Sequence, residues 1–234
     1  MLNSFVIALT FISIIPVPKT ISWNSHTLRY FCVMLPVVGV LFGALWTVAP
    51  LPEKLSPTLR GFIMMLYTLA LTGGLHMDGL MDTCDAVFSH RDRETRLRIL
   101  SDTHAGSFAV MGCVAVMMAK TLLFAELHNT SLFFVPVYSR LGMAALLNNL
   151  PFAKTGGLAV MLGSSRNKRD NVLLLMMFVV LAFVSGVTLA AVCAVCAVLW
   201  AVVCVRIFGG ITGDLCGAFV ELSEVIMLVS MLLS

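Results

Sequence analysis

The 234-residue chain is 59% apolar and only 12% charged, with a mean hydropathy of +0.99. That balance excludes a soluble globule, because too little polar surface remains to cover one, and makes lipid the solvent. A net charge of +3, with no stripe of basic residues interleaved with aromatics, excludes a nucleic-acid surface.

Residues 2–15 are apolar but short, have no basic stretch before them and end at Pro16 without a small-residue cleavage pattern. They read as a short spanning, interfacial or re-entrant helix rather than a cleaved signal. Crossing a hydrocarbon core of about 30 Å takes roughly 20 helical residues. Stretches of that order run over 30–50, 60–75, 107–126, 132–150, 171–206 and 215–233. The stretch 171–206 is too long for one untilted crossing and carries Ser185 and Gly186 near its middle, which predicts a tight helical hairpin. The fold expected is an all-α, polytopic integral membrane bundle of about six to eight transmembrane helices. No repeat, low-complexity tract or soluble second domain is visible, so residues 1–234 form one membrane-embedded catalytic domain.

Basic residues lie in the loops between spans. Placing Lys19, Arg29, the stretches 91–98 and 154–169, and Arg206 in the cytoplasm leaves only Lys54 and Arg60 in the loop at the opposite face, as the positive-inside rule requires. Lys120 and Arg140 lie inside spans; Lys120 reads as snorkelling, and Arg140, deeper among small residues, as the partner of an acid. The seven cysteines act as small hydrophobes in apolar stretches. Cys193-x-x-Cys196 has no nearby His or second pair to make a metal site.

Seven of the 12 acidic residues (Asp78, Asp82, Asp85, Asp102, Asp214, Glu221 and Glu224) gather at or beside span ends. Asp78, Asp82 and Asp85 follow one another by four and then three residues, which puts them on one helical face within an arc of roughly 60°. Like charges so placed repel, and carboxylates in a bilayer cost roughly 2.5–3.5 kcal/mol each, so a cation belongs beside them. Asp214 and Glu221 are seven apart and again share a face, with Glu224 a turn deeper; a glycine-rich turn at Gly209-Gly210 precedes them. Oxygen donors alone favour Mg²⁺, with Mn²⁺ as substitute, over zinc, and two ions between two helices suit in-line phosphoryl displacement.

Plainer readings stand beside these. Asp214 suits the first turn of a helix, and Asp102 suits a cap. Asp92 with Arg96 and Glu94 with Arg98 pair as a solvated helix would, while the same arginines could hold phosphates. His76 stands about 200° around the helix from Asp78, away from that metal.

Gly74-Leu75-His76-Met77-Asp78-Gly79-Leu80 with Asp82 and Asp85 resembles the G-L-H-x-D-G-L-x-D-x-x-D block of the cobalamin synthase family, the adenosylcobinamide-GDP ribazoletransferases. Gly209-Gly210-Ile211-Thr212-Gly213-Asp214, Gly217-Ala218 and Glu221-Leu222-Ser223-Glu224 resemble the family's closing block. Support comes from 11–18, Pro36-Val37-Val38-Gly39, Asp102 with Gly106, and 151–154 followed by Gly157 and Leu158. Ile14, His104 and Lys154 stand where the family commonly has Arg, and Ala86 where it has Gly. That alanine breaks the D-x-x-D-G-x-x-A-R signature of CDP-alcohol phosphotransferases.

The resemblance implies an Mg²⁺-dependent transfer of α-ribazole, or its 5′-phosphate, onto adenosylcobinamide-GDP with release of GMP, at the cytoplasmic side of a bacterial-type inner membrane. Asp78, Asp82, Asp214 and Glu221 are then expected to ligate metal, with Asp85 as ligand or as base for the attacking 5′-oxygen, and Asp82 and Asp85 as the catalytic pair. His76, Arg91, Arg93, Asp102, Arg140, Lys154 and Glu224 are candidate substrate or phosphate contacts. The expected partners are the two substrates and the lipid bilayer, with room for a homo-oligomer and none for nucleic acid. The rival readings are a divalent-cation transporter, since intramembrane acids also line ion paths, and a CDP-alcohol-type head-group phosphotransferase.

Overall fold

A computed structural model describes residues 1–17, 21–49, 51–52, 54–127, 130–156, 162 and 166–234. Pro18, Lys19, Pro50, Gly157 and Leu158, which figure in the expectations above, lie outside the described residues.

Among the described residues the regular elements are all helices, and the one β interaction is an isolated parallel bridge between Phe152 and Ile211. In chain order they form α1 Leu2–Ile12, α2 Phe31–Thr47, α3 Pro57–Thr72, α4 Leu75–Phe88, α5 Arg93–Ile99, α6 Ser107–Glu126, α7 Phe134–Asn149, α8 Lys168–Ser185, α9 Val187–Val203 and α10 Gly213–Leu232. Thr130–Phe133 is a 3-10 turn leading into α7, and Cys204–Phe208 a π turn closing α9. A polytopic helical membrane protein is thus the observed class.

Among the described residues, four helical segments are long and apolar enough to cross alone: Ser107–Glu126, Thr130–Asn149, Val187–Phe208 and Gly213–Leu232. α3 and α4, bent by 93° from each other, reach that length and apolarity only as a pair. The expected span over 60–75 is therefore one limb of a bent helix pair. Gly73 and Gly74 take the left-handed backbone, φ 62° and 77°, that an L side chain adopts only with strain, and the chain turns there. α1, at 11 residues, is about 16 Å long, too short to cross. α2, with 17 residues, and α8, whose 18 residues open on the charged Lys168-Arg169-Asp170, are not apolar over that full length. The hairpin is present: α8 ends at Ser185, Gly186 takes φ 89°, and α9 starts at Val187. Both helices pack on each other and on α7, sharing a groove lined by Leu174, Phe178, Cys193 and Ala197.

Close backbone contacts organise the centre. α2 lies against α7, where Gly39 lets it approach the carbonyl of Pro136. α4 lies against α10 and α6. A Cβ at Gly79 would stand 2.7 Å from the carbonyl oxygen and 2.9 Å from the Cα of Asp214, so only glycine permits this crossing.

Candidate active site

The Gly79 contact brings the two acidic segments together: Asp78 and Asp82 flank the point where α4 meets the backbone of Asp214. Asp82 lies within electrostatic reach of Asp78, Asp214 and Asp85, and Lys154 acts on both Asp82 and Asp214. Among the described residues, the side chains of Asp78 and Asp82 have no hydrogen bond or ion pair, and Asp78 is exposed. Asp214 accepts a long 3.4 Å contact from the Thr212 hydroxyl.

The bridge beside Phe152 places Lys154. Ala153 N–H donates to the Ile211 carbonyl at 3.0 Å, and Ile211 N–H to the Pro151 carbonyl at 2.8 Å, so the segment after α7 runs alongside the turn before α10. Gly210 allows it, since a Cβ there would meet the backbone of Pro151 through Ala153. Lys154 Nζ then donates to Ser101 Oγ at 2.5 Å, on the segment after α5. Arg93 is fixed to the same turn, with Nε donating to the Phe208 carbonyl at 2.7 Å. Arg91 is exposed at the α4–α5 connection. Asp102 is exposed, 2.7 Å from His104 Nδ1. That imidazole, first among its causes, holds the Asp102 carboxyl below its usual range. Acids and cations thus share one face of the bundle.

Asp85 is otherwise engaged. Its Oδ2 accepts from Gly106 N–H at 2.6 Å and its Oδ1 from Ala109 N–H at 2.9 Å, so it caps the start of α6 across the loop. Gly106 packs directly on this carboxylate.

Glu221 and Glu224 lie deeper, in a buried network. Lys120 Nζ donates to Glu221 Oε2 at 2.6 Å and to Glu224 Oε2 at 2.7 Å. Arg140 pairs with the other oxygen of Glu224, which also accepts from Ser139 Oγ at 3.0 Å, and the guanidinium carbon lies 5.1 Å from the Phe42 ring centroid. Two cations and two carboxylates balance, and a cavity of about 10 Å³ beside them has room for one water. Lys120, read from sequence as snorkelling, is only 3% exposed; the acids of α10 reach it, so it has no need to bend to the interface. Arg140 pairs with an acid as expected. His76 is buried with Nε2 unpartnered, among the charges of Arg140, Glu224 and Lys120 rather than beside the aspartates.

Of the five expected metal ligands, Asp78, Asp82 and Asp214 share the open site, Asp85 caps α6 at its edge, and Glu221 is neutralised by Lys120. Among the described residues no three His, Cys, Asp or Glu side chains converge into a ready-made metal cage. The signal missed in the sequence was arithmetic: two intramembrane cations, Lys120 and Arg140, match two intramembrane acids, Glu221 and Glu224.

Fold and site together define a polytopic helical membrane protein with a cluster of aspartates and fixed cations at one face. The chain belongs to the CobS family, described as cobalamin-5-phosphate synthase, whose model matches residues 4–232. It is 32% identical to an adenosylcobinamide-GDP ribazoletransferase of Geobacillus kaustophilus over 96% of this chain and 93% of that one. It is 31% identical to the protein of the same name from Halalkalibacterium halodurans, over 97% and 94%, and 30% identical to that of Alkaliphilus oremlandii, over 98% and 96%. No solved structure matches the chain.

Proposed function

We propose that the chain joins α-ribazole, or its 5′-phosphate, to adenosylcobinamide-GDP and releases GMP, at the cytoplasmic face of a bacterial inner membrane. The observation that carries this is the meeting of α4 and α10 at Gly79 and Asp214 in a chain that matches the family from end to end. The location is supported by the basic residues in the loops that carry the site and in those expected on the same side, Arg91 to Arg98, Lys154, Lys168, Arg169 and Arg206, against Lys54 and Arg60 in the opposite loop.

In this reading a ribose hydroxyl oxygen bonds to the phosphorus that carries cobinamide. The bond from that phosphorus to the bridging oxygen breaks, and GMP leaves with the oxygen and its electron pair. A synthase of cobalamin 5-phosphate keeps a phosphate on the 5′-oxygen, so the attacking oxygen is another ribose hydroxyl, not the 5′-oxygen expected from the sequence. We assign its proton to Asp82, which stands amid the cluster with free oxygens, rather than to Asp85, whose oxygens hold α6. Lys154 and the free guanidinium nitrogens of Arg93 orient the diphosphate.

Mg²⁺, or Mn²⁺ in its place, would supply positive charge against the phosphoryl oxygens. The residues suit it: the donors are carboxylate oxygens, the three open aspartates outweigh the charge of Lys154, and Mg²⁺ characteristically takes one or two carboxylates and completes its shell with water and phosphate. Asp78 and Asp214 would hold it. Glu221 is left out, because Lys120 already neutralises it.

The test is purified protein with adenosylcobinamide-GDP, α-ribazole and Mg²⁺, with chelator as control. GMP and cobalamin released in equal amounts support the reading; CMP release from a CDP-activated lipid precursor, or metal flux into sealed vesicles without nucleotide product, overturns it.

A further inference from the structure

We propose that the cleft between α1, α3 and α4 is the seat of the corrinoid macrocycle of the donor substrate, an inference that rests on the transferase reading above. The bend at Gly73-Gly74 swings α4 away from α3 by 93° and leaves a cleft of about 1040 Å³, walled on its third side by the end of α1 and by Trp23. Small-molecule sites span about 300–1,000 Å³, so this one suits an unusually large ligand. The groove between α7, α8 and α9 measures about 320 Å³ and touches no aspartate of the site.

Three features point to a large, flat, mostly apolar ligand with a phosphate arm. First, the cleft reaches the site through Asp78, which lines its wall. Along α4, Leu75, Met77, Asp78 and Met81 face the cleft, while Asp82 and Asp85 continue toward Lys154 and α6. A ligand seated there holds its diphosphate over the acidic row and its guanosine beyond, toward the cations. Second, the wall is apolar and aromatic, with hydroxyls of Thr10 and Ser13 for a rim of amide groups. Third, the wall is fixed: Phe11 and Trp23 pack edge to face with centroids 6.4 Å apart, and Ile14 N–H donates to the Leu71 carbonyl at 3.3 Å.

Exposed Ala70 on α3 and exposed Thr10 on α1 line walls other than α4, which carries Asp78, so Ala70→Trp and Thr10→Trp each narrow the cleft without replacing any residue of the aspartate site. The probe is adenosylcobinamide, the corrinoid without its GDP, followed by equilibrium dialysis against the full chain in detergent and needing no turnover. The wild type binds it, and both variants bind about tenfold more weakly, a difference of about 1.4 kcal/mol. Inhibition of GMP release by GMP itself, and the KM for α-ribazole, stay within about twofold, or 0.4 kcal/mol. Should tryptophan unfold the chain, Ala70→Leu and Thr10→Leu shift the same binding in the same direction. Undiminished corrinoid binding in folded variants overturns the assignment. So does equal weakening of GMP, or a loss of activity reversed by added lipid, which would make the cleft a lipid seat. Absence of GMP release by a wild type that binds the corrinoid overturns the transferase reading alone.

Discussion

Removing Lys120 tests the buried network most directly. Lys120→Met keeps the length and apolar stem of the side chain but leaves Glu221 and Glu224 facing Arg140 alone, with Lys120, Glu224 and Arg140 each at most 3% exposed. Breaking a buried ion pair from one side costs about 3–5 kcal/mol, because the remaining charge has neither water nor partner. For a chain of this length that lowers the melting temperature by roughly 6–20 °C, at about 2–4 °C per kcal/mol. Lys120→Met with Glu221→Leu removes one charge of each sign and leaves Glu224 on Arg140, so most of the loss is recovered; replacing a whole buried pair with apolar groups is often neutral. Thermal unfolding of wild type, single and double variants in one detergent decides the matter. A single variant as stable as the wild type, or a double variant no better than the single, would refute the reading of Lys120 as the network's keystone.

Asp82→Asn keeps the size of the side chain and removes its charge, and loss of a general base typically lowers turnover by about 10²–10⁴; near-full GMP release by this variant would exclude Asp82 as proton acceptor. Gly79→Ala forces a methyl against the backbone of Asp214, at an expected cost of about 1–3 kcal/mol for overpacking, with Mn²⁺ binding weakened in parallel; unchanged melting and metal affinity would show that α4 and α10 do not need this approach. Asp85→Ala frees two N–H groups at the start of α6 and costs about 1 kcal/mol, whereas Asp85→Asn retains an acceptor, most of that stability and most of the activity; an inactive but stable Asn variant would restore Asp85 as base. Asp92 caps α5, and the Thr95 N–H, its largest influence, holds its carboxyl below the ordinary value. A carboxyl lowered in the folded state stabilises above its unfolded pKa and stops doing so as pH falls through the lowered value, so the protection of α5 amides relative to their intrinsic exchange rates falls in acid. The Asp92→Ala variant should show the low protection at every pH.

What the sequence made legible was local. Apolar length marked the membrane class, the Ser185-Gly186 pair marked the hairpin, and spacing put Asp78, Asp82 and Asp85 on one face, because helical geometry alone decides that. Two other features depended on contacts no local pattern encodes. Gly73-Gly74 looked like the end of a span and is the bend between paired helices: two glycines license a turn, but the angle comes from packing α4 between α6 and α10. Glu221 looked like a ligand because it shares a face with Asp214, yet two helical turns of depth separate them, enough to change its surroundings from open site to dry core. There a carboxylate needs a permanent cation, and Lys120 supplies one without leaving the membrane. The same acidic helix therefore does two jobs divided by depth: its first turn brings Asp214 to the aspartates of α4, and its middle locks α10 to α6 and α7. Because the lock sets the depth of α10, it also sets where Asp214 meets Gly79, and so the shape of the site.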